Sequence, residues 1–581
     1  MSVKSKVKKI YIILPTTLFL DVNLKKAEVI IVEHPVYFTK YNYHKLKLIM
    51  HRATMKSYGD VLKKKYKCKI TYVDYNKSLS KVMAKYRNSE VNIYDAEDHY
   101  VMLDIKKICR LKKIRLNIKN NLGYLNTPED LNKYLKNKKG KNYNFRSFYI
   151  WSRKYHDILM MKNGKPIKGK YVFDSENRKP FVKSNIPKDK IKVINNKYVK
   201  EAKRYIKKNF GSNPGEDKYY YIPTNHVSAK LWLNNFIKKR LRLFGPYEDA
   251  VNSSVIYGYH SLLSPLTNIG LLTPRNIIYA VLKYVRGKSI PINSLEGFIR
   301  QLIGWREYCR LIYRYDRVRL SSGNYFNNKK KLNKNLWYYK KVGSELKAAK
   351  SVRSKKNNLT RNSNSNSKSI KNVKNNLTRN SKSAKNKKNN LTCNSKSNSK
   401  SNLNSNLTCN LKSNSKAAKT LTSNFKFIDD MLDKVMKYGY LHHIERLMYV
   451  GNYLLLTGVK PKDVFDWYQS MFMDSYHVFM YPNVYGMSQY SCGNLMMTRP
   501  YLASSNYMKK MSNYFKDKEN PIDNKEAAEL FDAIYYNFIR LNKLKLAKNY
   551  STAPQVKHWN NKTKKQQQEI IREANNYLKK Y

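Results

Sequence analysis

Short apolar runs alternate with amphipathic stretches over the first 135 residues. Lys9–Pro15, Val29–Glu33, Lys69–Val73, Val91–Tyr94 and Ile114–Ile118 read as buried parallel strands, and the spacing of apolar residues from Tyr43 to Lys65 is that of a helix. This alternation predicts a doubly wound parallel α/β domain over 1–135. A connector rich in Lys, Gly and Tyr spans 136–225. From Val227 the period becomes helical, which predicts an all-α domain in two parts, 226–342 and 425–581.

The stretch between those parts, 343–424, follows neither period. There is no Asp or Glu from Leu346 to Ile428, and Lys-Asn-Asn-Leu-Thr recurs at Lys356, Lys374 and Lys388. So few apolar residues cannot offset the entropy of folding, so a disordered insertion is expected, either inert or acting as a basic tether for nucleic acid.

Charge adds to this picture. The chain holds 115 Lys and Arg against 40 Asp and Glu, a net +75 over 581 residues, and such an excess favours a polyanionic partner. Six scattered cysteines without Cys-x-x-Cys spacing suggest neither a zinc site nor a disulfide framework. The apolar run Ile10 to Leu14 is broken by Pro15 and no stretch reaches membrane-spanning length, so a soluble, intracellular protein without membrane contact is expected. No Gly-x-Gly-x-x-Gly follows the first strand, which argues against an ordinary dinucleotide fingerprint.

The candidate chemistry centres on Gly439 to Tyr501. Leu441, Ile444, Leu447, Met448 and Leu455 recur at helical spacing and carry His442, His443 and Arg446 with them. Two imidazoles followed by an arginine are either satisfied core residues or a proton donor and anion clamp beside a ligand. Farther on, Phe465, Trp467, Tyr468, Phe472 and Tyr476 form an aromatic stripe that either packs a core or relays electrons. Upstream, the Ser-Pro turn of His260-Ser261-Leu262-Leu263-Ser264-Pro265 precedes an apolar run, as an ordinary helix start or a phosphate-binding one does.

Gly-Tyr-Leu-His-His-Ile-Glu-Arg-Leu-Met from Gly439, Pro-Asn-Val-Tyr-Gly-Met from Pro482, Trp-Arg-Glu-Tyr from Trp305, the Ser-Pro turn, and Glu33-His34-Pro35-Val36-Tyr37-Phe38-Thr39 together resemble the photolyase/cryptochrome superfamily. The resemblance is to its bacterial photolyase-related branch, the iron-sulfur bacterial cryptochromes and (6-4) photolyases. It implies an N-terminal antenna-type α/β domain followed by a large helical FAD-binding domain. It also implies a monomer acting on UV-damaged DNA, by light-driven FAD-dependent repair that the His pair tilts towards (6-4) photoproducts; the alternative is a cryptochrome-like photoreceptor without repair.

Residue by residue, the resemblance assigns proton transfer to His442 and His443 and the lesion pocket to Tyr501. Electron transfer falls to Trp467 and Tyr468, with Trp337 a substitute at the outer end. Flavin contacts fall to Phe244, Tyr247, His260, Ser261, Leu263, Ser264 and Asn268, then to Glu296, Gln301, Trp305 and Arg306. Arg446, Asp474, Tyr476, Asn483, Tyr485, Gly486 and Met487 complete that set. A lumazine-type antenna pigment is implied at Glu33, Tyr37, Tyr41 and His44. One departure stands out: the four cluster cysteines of that branch align with Phe427, Phe515, Lys518 and Phe531, so no iron-sulfur cluster and no other metal is expected.

Overall fold

The computed structural model describes residues 9–137, 143–188, 190–339, 423–516 and 521–580. All of these but Ser423 belong to one compact unit, Met1–Tyr339 with Asn424–Tyr581. The insertion read at 343–424 lies outside the described residues except for its last two positions, as does Lys518.

Five short strands form one sheet: β1 (Ile10–Ile13), β2 (Glu28–Val32), β3 (Lys69–Val73), β4 (Glu90–Tyr94) and β5 (Arg115–Lys119). Their order is β3-β2-β1-β4-β5, and every neighbouring pair is parallel. β1 and β2 are buried along their whole length, which is why they read as near-continuous apolar runs. The chain winds one way from β1 and then crosses to β4 on its other side, so a crevice opens at the carboxyl ends of β1 and β4.

The helix Lys45–Tyr66 covers this sheet, and the His44 ring accepts from the Leu46 N–H to cap it. Its Arg52 is buried in a carboxylate cage, 2.8 Å from Glu33, 2.5 Å from Asp74 and 2.7 Å from Glu201. Taking a guanidinium out of water is costly without such partners, so the cage pins helix to strand ends.

The rest of the unit is helical. Ile292–Arg300 runs into a π-helical stretch, Gln301–Trp305, and on into Arg306–Ser322. That last helix docks on the sheet's carboxyl edge: Arg314 lies 3.0 Å from Asp95 and 2.7 Å from Glu97, and Glu307 accepts from the Leu125 N–H. Two further π-helical stretches occur at Glu445–Gly451 and Tyr481–Ser488, each capped or flanked by ordinary helix. Among the described residues no helix is long and apolar enough to cross a membrane.

Near the C-terminal helix Lys564–Lys580, aromatic rings fill the core. Phe427 meets Phe515 at 5.8 Å and Phe531 at 5.3 Å between centroids, while Phe425 meets Phe531 and Tyr577, both at 5.4 Å. Phenyl rings offer no ligand atom, so Phe427, Phe515 and Phe531 do not fit a four-thiolate cluster. Their edge-to-face packing makes a hydrophobic core instead.

Candidate functional site

All three π-helical stretches found among the described residues wall the same cavity. Gln301, Leu302 and Trp305 come from the first, Arg446 and Leu447 from the second, and Asn483, Val484, Met487 and Ser488 from the third. The cavity measures about 1480 Å³ including its open mouth. A π turn holds an extra residue and splays side chains off the regular helical face, and such turns concentrate at functional sites. The second and third stretches touch at a glycine: a Cβ on Gly451 would lie 2.3 Å from Ser488 Oγ and 2.6 Å from the Arg446 carbonyl oxygen.

One wall is a polar lattice. Asp474 accepts from Ser264 Oγ at 2.7 Å, stands 2.9 Å from Arg446 Nη1, and through its backbone oxygen accepts from Asn268 Nδ2 at 2.9 Å. Arg446 also donates to the Leu441 carbonyl and lies 4.1 Å from the Phe472 ring centroid. Arg306 donates to Asn268 Oδ1 and to the Gly123 carbonyl, at 2.5 and 2.9 Å. The Ser261 hydroxyl accepts from the Leu263 N–H, tightening a turn in which Leu262 has φ +55°.

The opposite end holds three imidazoles. His260 stacks on His442 at 4.8 Å and 18°, and His443 meets His260 at 5.5 Å. Burial, joined by the neighbouring imidazoles, pushes His260 and His442 well below the ordinary value, so both are neutral. Their Nε2 and Nδ1 atoms, respectively, are buried without a hydrogen-bond partner. His443 differs, being half-exposed with Nε2 3.4 Å from Asp249 Oδ1. Burial works against its charge, but the contact with Asp249 carries His443 above the ordinary imidazole value. The cluster therefore concentrates one proton on the imidazole nearest the mouth. A buried Lys434–Glu445 pair, with Glu445 also accepting from the His442 N–H at 3.0 Å, holds the histidine turn in place.

Glu248, which the sequence did not single out, lines the cavity beside these rings and accepts from Gln301 and Asn177. Burial pushes its carboxyl up to about 7. A raised folded-state value means that its contribution to stability is complete below pH 4.5 and is lost as pH climbs through about 7. Glu248→Gln is therefore expected to narrow the gap in melting temperature between about pH 5 and about pH 8. An unchanged gap would show that this carboxyl ionises normally.

The cavity brings together Phe244, His260, Ser261, Leu263, Ser264, Asn268, Gln301, Trp305, Arg306, His442, His443, Arg446, Tyr468, Asp474, Asn483 and Met487. Other predicted residues do not line it. Glu296 accepts from Tyr149 and the Phe173 N–H and pairs with Arg300, Tyr247 stacks on Phe181, and Tyr485 stacks on Phe465. Gly486 packs against Met496, and Tyr476 binds His51 at 2.8 Å. Tyr501 is half-buried, in the electrostatic neighbourhood of Arg499, Asp174 and Asp249. Trp467 sits behind Tyr468 at 5.4 Å between rings and donates to the Leu336 carbonyl, one residue from the half-buried Trp337. Phe298, Leu302, Cys309, Tyr440 and Met480 also line the cavity, although the sequence reading assigned none of them to the site.

The residues expected at an antenna scatter. A narrow pocket lies at the carboxyl ends of β1, β4 and β5, and of the four only Tyr37 borders it, with Asp98, Arg306 and Tyr476. Glu33 is spent on Arg52, Tyr72, Tyr75 and Tyr205. His44 uses both ring nitrogens, on the Leu46 N–H and the Met436 carbonyl, and Tyr41 bonds to His477. Glu33 and His44 thus have every polar side-chain atom engaged, and Tyr41 has its hydroxyl on His477.

Residues 12–220 match the family profile described as deoxyribodipyrimidine photo-lyase-related protein. The chain is 25% identical over 582 residues to a (6-4) photolyase of Agrobacterium fabrum, covering 97% of each chain. It is also 42% identical over 100 residues to the uncharacterized protein R853 of Acanthamoeba polyphaga mimivirus, covering 17% of this chain and 75% of that one. The crystal structure of a bacterial class III photolyase from Agrobacterium tumefaciens aligns over 100% of both chains at 13% identity, with a TM-score of 0.47. A profile match across the sheet-bearing part and a relative alignable from end to end point the same way: the chain is similar to proteins of the photolyase-related superfamily.

Proposed function

We propose that this chain is a light-driven, FAD-dependent DNA photolyase, with the (6-4) photoproduct as its preferred lesion. The observation that carries the proposal is the cavity walled by three π-helical stretches with the histidine cluster at one end. Its walls mix apolar side chains, among them Phe244, Phe298, Leu302 and Trp305, with polar ones such as Ser264, Asn268, Arg306 and Arg446. That suits a dinucleotide with a flipped base beside it. The unpartnered ring nitrogens of His260 and His442 also favour a polar ligand there.

FAD, when bound, supplies light absorption and one-electron chemistry. The protein's share is geometry and charge. Arg446, braced by Asp474, offers a fixed cation to an anionic group, while Phe244, Phe298, Leu302 and Trp305 keep water from the walls. His443, whose protonated form Asp249 favours, is the proton donor for a lesion lying at the mouth. Tyr468 and Trp467 offer an electron route from the cavity towards Leu336 and Trp337. No antenna step is part of the proposal, since Glu33, Tyr41 and His44 are committed elsewhere.

The test is an absorption spectrum of the purified full-length chain, followed by illumination with oligonucleotides carrying one lesion each. Flavin absorption with light-dependent loss of (6-4) lesions is expected. Flavin absorption with both lesion types left intact would make the chain a photoreceptor instead. A colourless protein that stays so with excess FAD would refute the proposal.

A further inference from the structure

Behind the cavity wall lies a buried phenol–imidazole–carboxylate chain. Tyr41 Oη is 2.9 Å from His477 Nε2, and His477 Nδ1 is 2.8 Å from Asp98 Oδ2, somewhat off the line of an ideal hydrogen bond. The other Asp98 oxygen accepts from the Tyr100 and Val101 N–H groups at the start of the helix His99–Leu111, so the carboxylate cannot rotate away. His477 is fully buried and Asp98 nearly so, whereas Tyr41 is half-buried. Although burial alone would raise it, His477 and the helix N–H groups hold the Asp98 carboxyl below its usual range. An ionised Asp98 fixes the Nδ1–H tautomer of His477 and leaves Nε2 as the base facing the Tyr41 hydroxyl.

The rings around this chain lead to the cavity wall. Tyr41 meets Phe465 at 6.4 Å, and Phe465 stacks on Tyr485 at 4.8 Å and 15°. Tyr485 belongs to the π-helical stretch Tyr481–Ser488, whose Asn483, Val484 and Met487 line the cavity from the other side. One helix thickness, about 10 Å, separates the two faces.

We propose that Tyr41 is a redox-active tyrosine that gives one electron to a light-excited oxidised flavin in the cavity and its proton to His477. This rests on the reading of the cavity as a flavin site. The phenol O–H bond breaks, the oxidant gains one electron, the proton binds His477 Nε2, and Asp98 stabilises the imidazolium so formed. A neutral tyrosyl radical remains until the electron and proton return. Burial raises the Tyr41 phenol far above its ordinary value, so at rest it keeps its proton; it releases the proton only once oxidised. His477 is the proton acceptor, and Asp98, which touches neither the phenol nor the flavin, is a positioning residue.

The test is electron paramagnetic resonance of the illuminated full-length holoprotein in H₂O and D₂O, on wild type, Tyr41→Phe, His477→Gln and Trp467→Phe. Wild type is expected to give a tyrosyl signal that Tyr41→Phe loses while retaining flavin absorption. His477→Gln still accepts a hydrogen bond but is no base, so it is expected to lose the signal and its solvent isotope effect without losing flavin. A full tyrosyl signal in Tyr41→Phe, or a radical found only on tryptophan, would overturn the assignment. If the protein proves colourless, the flavin reading fails first. Tyr41 is then read with a soluble ruthenium photo-oxidant, where the wild-type minus Tyr41→Phe difference must still contain a deuterium-sensitive tyrosyl radical; no difference overturns it.

Discussion

His443→Ala is expected to lower light-driven repair of (6-4) lesions by about 100-fold or more, with flavin absorption unchanged. Of the three imidazoles, His443 has the nearest carboxylate, Asp249 at 3.4 Å against 3.8 Å from His442 to Glu445, and it is the most exposed, at the mouth where a flipped base would enter. His260 and His442 are held neutral by burial and cannot replace it. Because the His443 value is raised above 6.5, the protonated donor is fully present below that pH. Repair should therefore fall as pH rises through the raised value, and the stability drawn from the Asp249 contact should be lost over the same interval. A lesion-specific assay across pH reads both effects. Full repair by the alanine variant, or a flat profile in wild type, would remove His443 from the chemistry.

Gly451→Ala should cost the protein its flavin. The added methyl would sit 2.3 Å from Ser488 Oγ and 2.6 Å from the Arg446 carbonyl, and the latter is the π turn's own backbone and cannot step aside. Either the turn relaxes or the second and third walls separate, and overpacking of this kind costs about 1–3 kcal/mol. Flavin absorbance per polypeptide and the melting temperature measure the two consequences. A variant with full flavin and unchanged melting would show that these walls do not touch as described.

Much of the sheet was legible because β1 and β2 are short, buried and mostly Ile and Val, and the strands at Ile10, Glu28, Lys69, Glu90 and Arg115 begin within a residue of the runs that predicted them. The helix Lys45–Tyr66 was equally plain. The cavity was legible by segment but not always by residue. The segment carrying Tyr247 was recognised, yet the next side chain, Glu248, is the one that faces in; at Tyr485 the preceding Val484 does so. A reading at 3.6 residues per turn cannot foresee the offset at Tyr485, because a π turn adds a residue and shifts every facing position after it, while Glu248 lies in a turn after the helix Leu241–Phe244, where no helical period applies. The antenna reading met a different limit. Glu33, Tyr41 and His44 are committed to partners as distant in sequence as Tyr205, His477 and Met436, and no local pattern reports such contacts.

The three widened turns also decide what kind of change this protein can absorb. Trading one side chain for another of like bulk leaves the register of Glu445–Gly451 intact, whereas excising a single position there would restore the common pitch and rotate every later residue of that helix by about 100°. Gly451 would then turn away from Ser488, so along these walls spacing is a stricter constraint than identity.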